Sequence, residues 1–253
     1  MTTGHHHTRP SPHAHTVRWL YDVMRSEMRD SAFPGNVLPP EDALVRRYGV
    51  SRGAVRKVID LLREEGVVER TRGAGTFIVS PRTLPHGVGP SRDVAQDVNA
   101  RAPRVSIFTT HAALHAAPAY VADRLRVAPG TPVVLLESTT YLDGFPLSVR
   151  SAFMPFCLFG VLLDGDVDLD RSPYLVMQEV LDEHPGDTDL RITASAASHA
   201  VADLLGIQPG APTLDTAREV YSRSGVVLEH SVAHARADRL SFCTVMAAHE
   251  PMG

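Results

Sequence analysis

Apolar and polar positions in the first 80 residues follow a helical period in three places. Leu20, Val23, Met24 and Met28 lie at helical spacing, and Thr16 suits the N-cap position, which predicts a helix to about Arg29. The stretch FPGNVLPP reads as a turn whose prolines preset a second helix over Glu41–Tyr48. Glu41 and Asp42 fall in its first turn, where the helix dipole favours negative charge, and Ala43, Leu44 and Tyr48 form its inward side. Gly49 ends it, since a residue without Cβ turns left-handed freely. Ser51 caps a third helix whose Val55, Val58, Ile59 and Leu62 make an apolar stripe at i, i+3, i+4, i+7, and Gly66 stops it. Two β-rich runs, VVER and TFIV, flank TRGAG and read as a hairpin. Helix, helix–turn–helix, hairpin is the order of a winged helix-turn-helix, predicted over residues 16–80 behind a disordered tail, 1–15.

Residues 81–103, rich in proline and glycine and poor in apolar side chains, are predicted to be an extended linker. Beyond it the chain repeats itself. VADRLRVAPGTPVVLLESTTY (121–141) and VADLLGIQPGAPTLDTAREVY (201–221) align at an offset of 80 residues with 8 of 21 positions identical. Each copy reads as a helix end, a Pro-Gly turn and a strand, with a hairpin turn (LDGFP, RSGVV) and a returning strand behind it. Such a duplication predicts a second domain over 104–247, an antiparallel sheet of about six strands with flanking helices, and hence an α+β protein.

Charge sharpens the division. Residues 1–80 hold 12 Lys and Arg against 9 Asp and Glu, a net of +3, while the remaining 13 basic and 20 acidic residues leave 81–253 at −7. The positive excess collects where DNA would be met: Ser51, Arg52, Arg56 and Lys57 at the outer N-terminal face of the third helix, Arg46 on the second, Arg70 and Arg72 at the hairpin. Arginine bonds guanine bidentately, a helix cap suits a phosphate, and Gly73 and Gly75 let the hairpin approach closely. Arg63 with Glu64 and Glu65 reads instead as a solvated ion-pair cluster.

The run LPPEDALVRRYGVSRGAVRKVIDLLREEGVVERTRGAGTFIV resembles the N-terminal domain of GntR-family transcription regulators, in its LPxE turn, GVSR, EEG and RxGxGTFV motifs. The resemblance implies that Ser51, Arg52 and Arg56 contact operator bases and phosphates and that Gly73 enters the minor groove. Asp42 departs from the pattern, because relatives usually carry arginine there; Gly53 and Ala54 stand where relatives often have threonines. The second domain resembles UTRA, the effector-binding domain of the HutC subfamily, in LxVxPGxPV, DGxPL with a later FMP, LLGIxPGxPTL and LEHSVAHARADRLSF. That implies a fold similar to chorismate lyase, a homodimer, and a small-molecule effector that alters operator affinity. Relatives often place arginines at the positions of Ser138 and Thr140 and a glutamate at Arg150, and the segment 104–115 is shortened where they shape a phosphate-binding loop. A phosphosugar effector is therefore not implied.

Glu137, Arg150, Arg191, Arg218, Glu229 and His234 remain as candidate effector residues, with Arg150 suited to an anionic group. The alternative for each is an intradomain salt bridge. The expected protein is a palindrome-reading repressor, cytoplasmic, without a cofactor, metal or catalytic constellation. Two rivals stay open: an enzyme on the lyase-like fold, and an architectural DNA-binding protein. No apolar run suits a membrane helix, the first residues lack a signal peptide's apolar core, and Cys157 and Cys243 read as reduced thiols. DGDVDLD (164–170) lacks the glycine and glutamate of a calcium loop, and the N-terminal histidines (His5–His7, His13, His15) read as part of the tail rather than a metal site.

Overall fold

The computed structural model describes residues 12–30, 32–71, 75–79, 84–87, 105–164, 167–170 and 185–244. The chain divides into two units, Met1–Thr83 and Leu84–Gly253.

In the first unit, helix α1 spans Pro12–Arg29. It begins before Thr16, so Thr16 is an interior residue and not a cap, and residues 12–15 belong to the helix rather than to a tail. Pro12 explains the early start, since a proline in the first turn lacks only a donor that would have no partner there. Helix α2 spans Glu41–Tyr48 and is ended by Gly49 at φ +65°. Helix α3 spans Arg52–Glu64, and the Ser51 hydroxyl accepts from the Ala54 N–H at 3.3 Å, the expected cap. Gly66, at φ +67°, follows it.

Leu20, Met24 and Met28 of α1, Leu44 of α2, and Val55, Val58 and Leu62 of α3 are buried together with Phe33, Leu38, Val67 and Val68. Each such side chain contributes about 1.5–3 kcal/mol by leaving water. Val23 is exposed, so the stripe of α1 is narrower than its spacing predicts, and Ala43 and Tyr48 are only half-buried. Tyr48 Oη donates to Glu27 Oε2 at 2.6 Å, and Arg47 pairs with the same carboxylate at 3.1 Å, tying α1 to α2. The hairpin consists of β2 (Val68–Thr71) and β3 (Gly75–Ile78). A short strand β1, Val37–Leu38, adds to its far side in the order β1-β3-β2. The sequence pattern placed β1 inside a turn because two residues carry no period.

The second unit opens with β4, Leu84–Gly87, which lies inside the predicted linker. It pairs in parallel with β11, Leu240–Cys243, and Leu84 packs against a cluster of Leu142, Leu147, Ala235 and Leu240. Backbone pairing with β11 and the docking of Leu84 onto this core order a strand that composition assigns to a linker.

The main sheet takes β5 (Val105–Ala116), β6 (Pro132–Leu142), β7 (Phe145–Pro155), β8 (Pro185–Ala196), β9 (Pro212–Ser222) and β10 (Val227–Arg236). Their order, β5-β6-β7-β10-β9-β8, is antiparallel throughout. Each outer strand leads into a short helix, α4 (Ala119–Leu125) after β5 and α6 (His199–Leu205) after β8. Thus β5, α4 and β6 recur as β8, α6 and β9 at the 80-residue offset seen in the sequence, and the halves meet at the central pair β7–β10. Val121, Ala122 and Leu125 of α4 pack on Val133, Phe153, Tyr221 and Val227. At one end of the opposite face, Val134, Leu136, Met154 and Val220 are covered by Phe159 of the one-turn helix α5, Phe156–Phe159, and by Leu162 just beyond it. No helix among the described residues is long and apolar enough to cross a membrane.

Candidate DNA-binding face and effector site

On the head, Arg52 and Arg56 stand one helical turn apart on α3 and both are well exposed, Arg52 at 56% of its side chain. Neither guanidinium is alone. An Arg52 Nη2 donates to Asp42 Oδ1, and Arg56 Nε donates to Glu41 Oε2 at 2.8 Å. Sequence reasoning missed these carboxylate partners, because α2 and α3 had to cross before Asp42 and Arg52 could meet. The four side chains line a groove of about 730 Å³ bounded on its other side by Arg70, Thr71, Gly75 and Thr76 of the hairpin. Gly75 sits at φ +123°, a conformation that L residues rarely adopt, and a Cβ there would lie 3.7 Å from Val37 Cγ1. Lys57 on α3 and Arg46 in the last turn of α2 are exposed, whereas Arg72 and Gly73 lie outside the described residues. The predicted ion-pair cluster at Arg63 pairs with Asp60 at 2.9 Å instead of its glutamate neighbours.

In the body, strand register sorts the six candidate effector residues onto two faces. Side chains alternate along a strand and cross-strand partners share a face. Ser138 lies opposite Arg150, and Ser231 opposite both Arg218 and Ala152. Arg150, Arg218, Ser138, Ser231 and Glu229 therefore share one face. Glu137, Arg191 and His234 fall on the other, through the pairs Glu137–Ser151, Ser151–Val232, Val232–Ala217 and Ala217–Arg191. The six do not form one site.

The first face carries a charged centre. Glu229 is fully buried, with Arg150 Nη2 at 2.5 Å from its Oε2 and Arg218 Nη2 at 3.6 Å from its Oε1. The two arginines keep 16% and 15% of their side chains exposed. Burial pushes the Glu229 carboxyl upward, but the charges of Arg150 and Arg218, with hydrogen bonds from Arg150 and Ser231, outweigh it and bring it down to about 2. Thr140 and Ser148, cross-strand partners on this face, are buried hydroxyls beside the cluster. Internal symmetry explains the layout. Ser138 and Arg218 occupy equivalent strand positions, and they face Arg150 and Ser231 respectively, so each half supplies one arginine and one serine with their strands exchanged. The candidates Arg150, Arg218 and Glu229 thus make the intradomain salt bridges of the alternative assignment. Two charged nitrogens and several hydroxyls still border one polar centre.

On the second face, Glu137 accepts from Ser151 Oγ at 3.2 Å and His234 Nδ1 lies 2.9 Å from Asp215 Oδ1. Burial would raise the Asp215 carboxyl, yet hydrogen bonds from His234, Thr213 and Ser195 hold it below its ordinary value. Arg191 borders a smaller hollow of about 230 Å³ with Tyr120, Arg124, Asp189 and Glu219. Of the acidic stretch 164–170, Asp170 accepts from the Thr109 N–H at 2.8 Å, which ties it to β5. The described residues hold no group of His, Cys, Asp and Glu fit for a metal ion. Cys157 and Cys243 are exposed and unpaired.

Comparison with known proteins places both units. Residues 22–78 match the family described as bacterial regulatory proteins, gntR family, and residues 105–241 match the UTRA domain. The HTH-type transcriptional regulator GgaR of Escherichia coli (strain K12) is 28% identical over 211 residues, covering 82% of this chain and 81% of GgaR. The HTH-type transcriptional repressor NagR of Bacillus subtilis (strain 168) is 25% identical over 228 residues, covering 90% of this chain and 93% of NagR. The crystal structure of PhnF from Mycobacterium smegmatis shares the fold, with a TM-score of 0.66 at 23% identity over 90% of this chain and 99% of PhnF. With a DNA-reading helix-turn-helix at one end and a UTRA effector domain at the other, the chain belongs to the GntR family of bacterial transcription regulators.

Proposed function

We propose that the protein is a homodimeric, cytoplasmic repressor of the HutC subfamily, acting through DNA binding rather than catalysis. Its heads, residues 16–80, read the half-sites of a palindromic operator, since a two-fold dimer demands a two-fold site. Ser51, Arg52, Arg56 and Lys57 enter the major groove, Arg46 contacts the backbone, and Arg70, Arg72, Gly73 and Gly75 approach from the hairpin. The reading is carried by one observation: Arg52 and Arg56 project from the capped start of α3 into the same open groove.

Within the body, residues 104–247, an effector with an anionic group binds at Arg150 and Arg218, and Glu229 sets the charge it meets. Two arginines against one carboxylate leave a net +1, which suits a monoanion bearing hydroxyls better than a doubly charged phosphate. Glu137, Arg191 and His234, on the other face, lie outside this site. Effector binding favours a dimer geometry that fits the operator less well, a coupling of about 1–3 kcal/mol. A relative named as a repressor supports repression as the outcome of operator binding.

A mobility shift on the DNA upstream of the protein's own gene, at fixed salt, tests this with wild type and the Arg52→Ala/Arg56→Ala double variant. A specific shift that the double variant loses is the expected result. Wild type with no preference over random DNA, there and in a genome-wide selection, overturns the reading.

A further inference from the structure

Asp42 sits at the second position of α2, with 61% of its side chain exposed, and bonds to the first residue of α3. An exposed ion pair of this kind contributes little to folding. Its position gives it another use. Arg52 is the first residue beyond the Ser51 cap, and its guanidinium carries five N–H donors in a rigid fork. The carboxylate engages a donor on Nη2 and restricts rotation of the plane, while donors remain for a base edge. We propose that Asp42 is a specificity-determining residue of the DNA interface, holding Arg52 toward a guanine and excluding other partners by its own charge. This rests on the reading of the groove as a DNA-binding face.

Two physical consequences follow. An arginine with a fixed plane meets guanine O6 and N7 together, whereas a loose one bonds to any phosphate or acceptor within reach. A carboxylate at the groove tolerates the cytosine amino group of a G·C pair, but is repelled by the acceptors of a thymine or a second guanine and by phosphate. Asp42 thereby lowers affinity for DNA in general and raises the ratio of specific to non-specific binding. Glu41 holds Arg56 in a similar way, so the two reading arginines each carry a carboxylate brace from α2.

The experiment selects bound sequences from a randomised duplex library with full-length wild type, Asp42→Ala, Asp42→Asn and Arg52→Ala at about 0.15 M salt. Wild type enriches a motif with a guanine in each half-site. Asp42→Ala is expected to bind random duplex about tenfold more tightly and to lose about tenfold or more of its discrimination at one position, the position that Arg52→Ala also loses. Asp42→Asn keeps an acceptor for Arg52 without the charge, so it retains the guanine preference while its random-duplex affinity rises. Thermal melts unchanged by either substitution exclude a folding effect. If Asp42→Ala enriches the wild-type motif with undiminished preference at every position, or loses a position other than that of Arg52, the inference is wrong while the DNA-binding reading stands. A wild-type protein that enriches no motif overturns both.

Discussion

Two arginine–carboxylate networks, one in each unit of the chain, are built from the same chemistry in opposite surroundings. In the head, Asp42 and Glu41 hold Arg52 and Arg56 on an open surface, where water and salt screen the charges. In the body, Glu229 lies between Arg150 and Arg218 with no exposed surface of its own. Screening makes the first network cheap to rearrange, so its arginines can leave their partners for DNA. Desolvation makes the second interdependent, since a buried charge that loses its partner has no water to replace it. The exposed pairs can therefore exchange a partner for DNA, whereas the buried network keeps its carboxylate and meets a ligand only through the arginine donors that remain.

The contrast is broken most directly at Glu229. Glu229→Ala leaves two arginines facing each other beside a buried gap, and is expected to cost about 3–5 kcal/mol, read by denaturant unfolding. A change below about 1 kcal/mol would show that water enters the centre and that the two networks are alike. The same residue makes a pH prediction. Its carboxyl titrates near 4.5 unfolded and about 2 folded, so the stabilisation is complete above pH 4.5 and is lost as pH falls toward 2. Unfolding followed through that window should show a steeper pH slope than in Glu229→Gln, where Asp215 and Asp238, also held below their ordinary values, leave a smaller one.

Intermediate effects belong to the head. Arg52→Ala should weaken specific DNA binding by about 1–3 kcal/mol and leave thermal stability unchanged, a split that fluorescence anisotropy and calorimetry measure together. Smallest of all is the stability effect of Asp42→Ala, expected at no more than about 1 kcal/mol despite removing the partner of an arginine, as Glu229→Ala does. Equal losses at Asp42 and Glu229 would remove the distinction between the networks.

Much of the head was legible in the sequence because its signals are local. A glycine at 49 must relieve a left-handed turn, a serine at 51 must cap, and a stripe at 55, 58 and 62 must face inward; the bounds of α2 came out as the spacing predicted. Where the signal weakened, so did the prediction. Val37–Leu38 is too short to show a period, Leu84 sits among prolines, and Val23 has the spacing of a core residue but points to solvent.

The candidate effector residues show the limit differently. Each was chosen for its charge and strand position, and alternation along one strand says which neighbours share its face. It does not relate one strand to another. That depends on hairpin lengths, on the irregularities at Thr140/Tyr141 and Val227/Glu229, and on the pairing of β7 with β10. Only then do Arg150, Arg218 and Glu229 converge while Glu137, Arg191 and His234 go to the other side.

By itself the sequence determined the helix-turn-helix and its hairpin, the two-domain division, the 80-residue repeat and the antiparallel sheet that the repeat builds, because period, caps and turns act over a few residues. Tertiary structure alone decided which charges meet: Asp42 with Arg52 through the crossing of α2 and α3, and Arg150 with Arg218 and Glu229 through the joining of two half-sheets. Electrostatic partners are chosen by distance in space, which a linear order of residues does not contain.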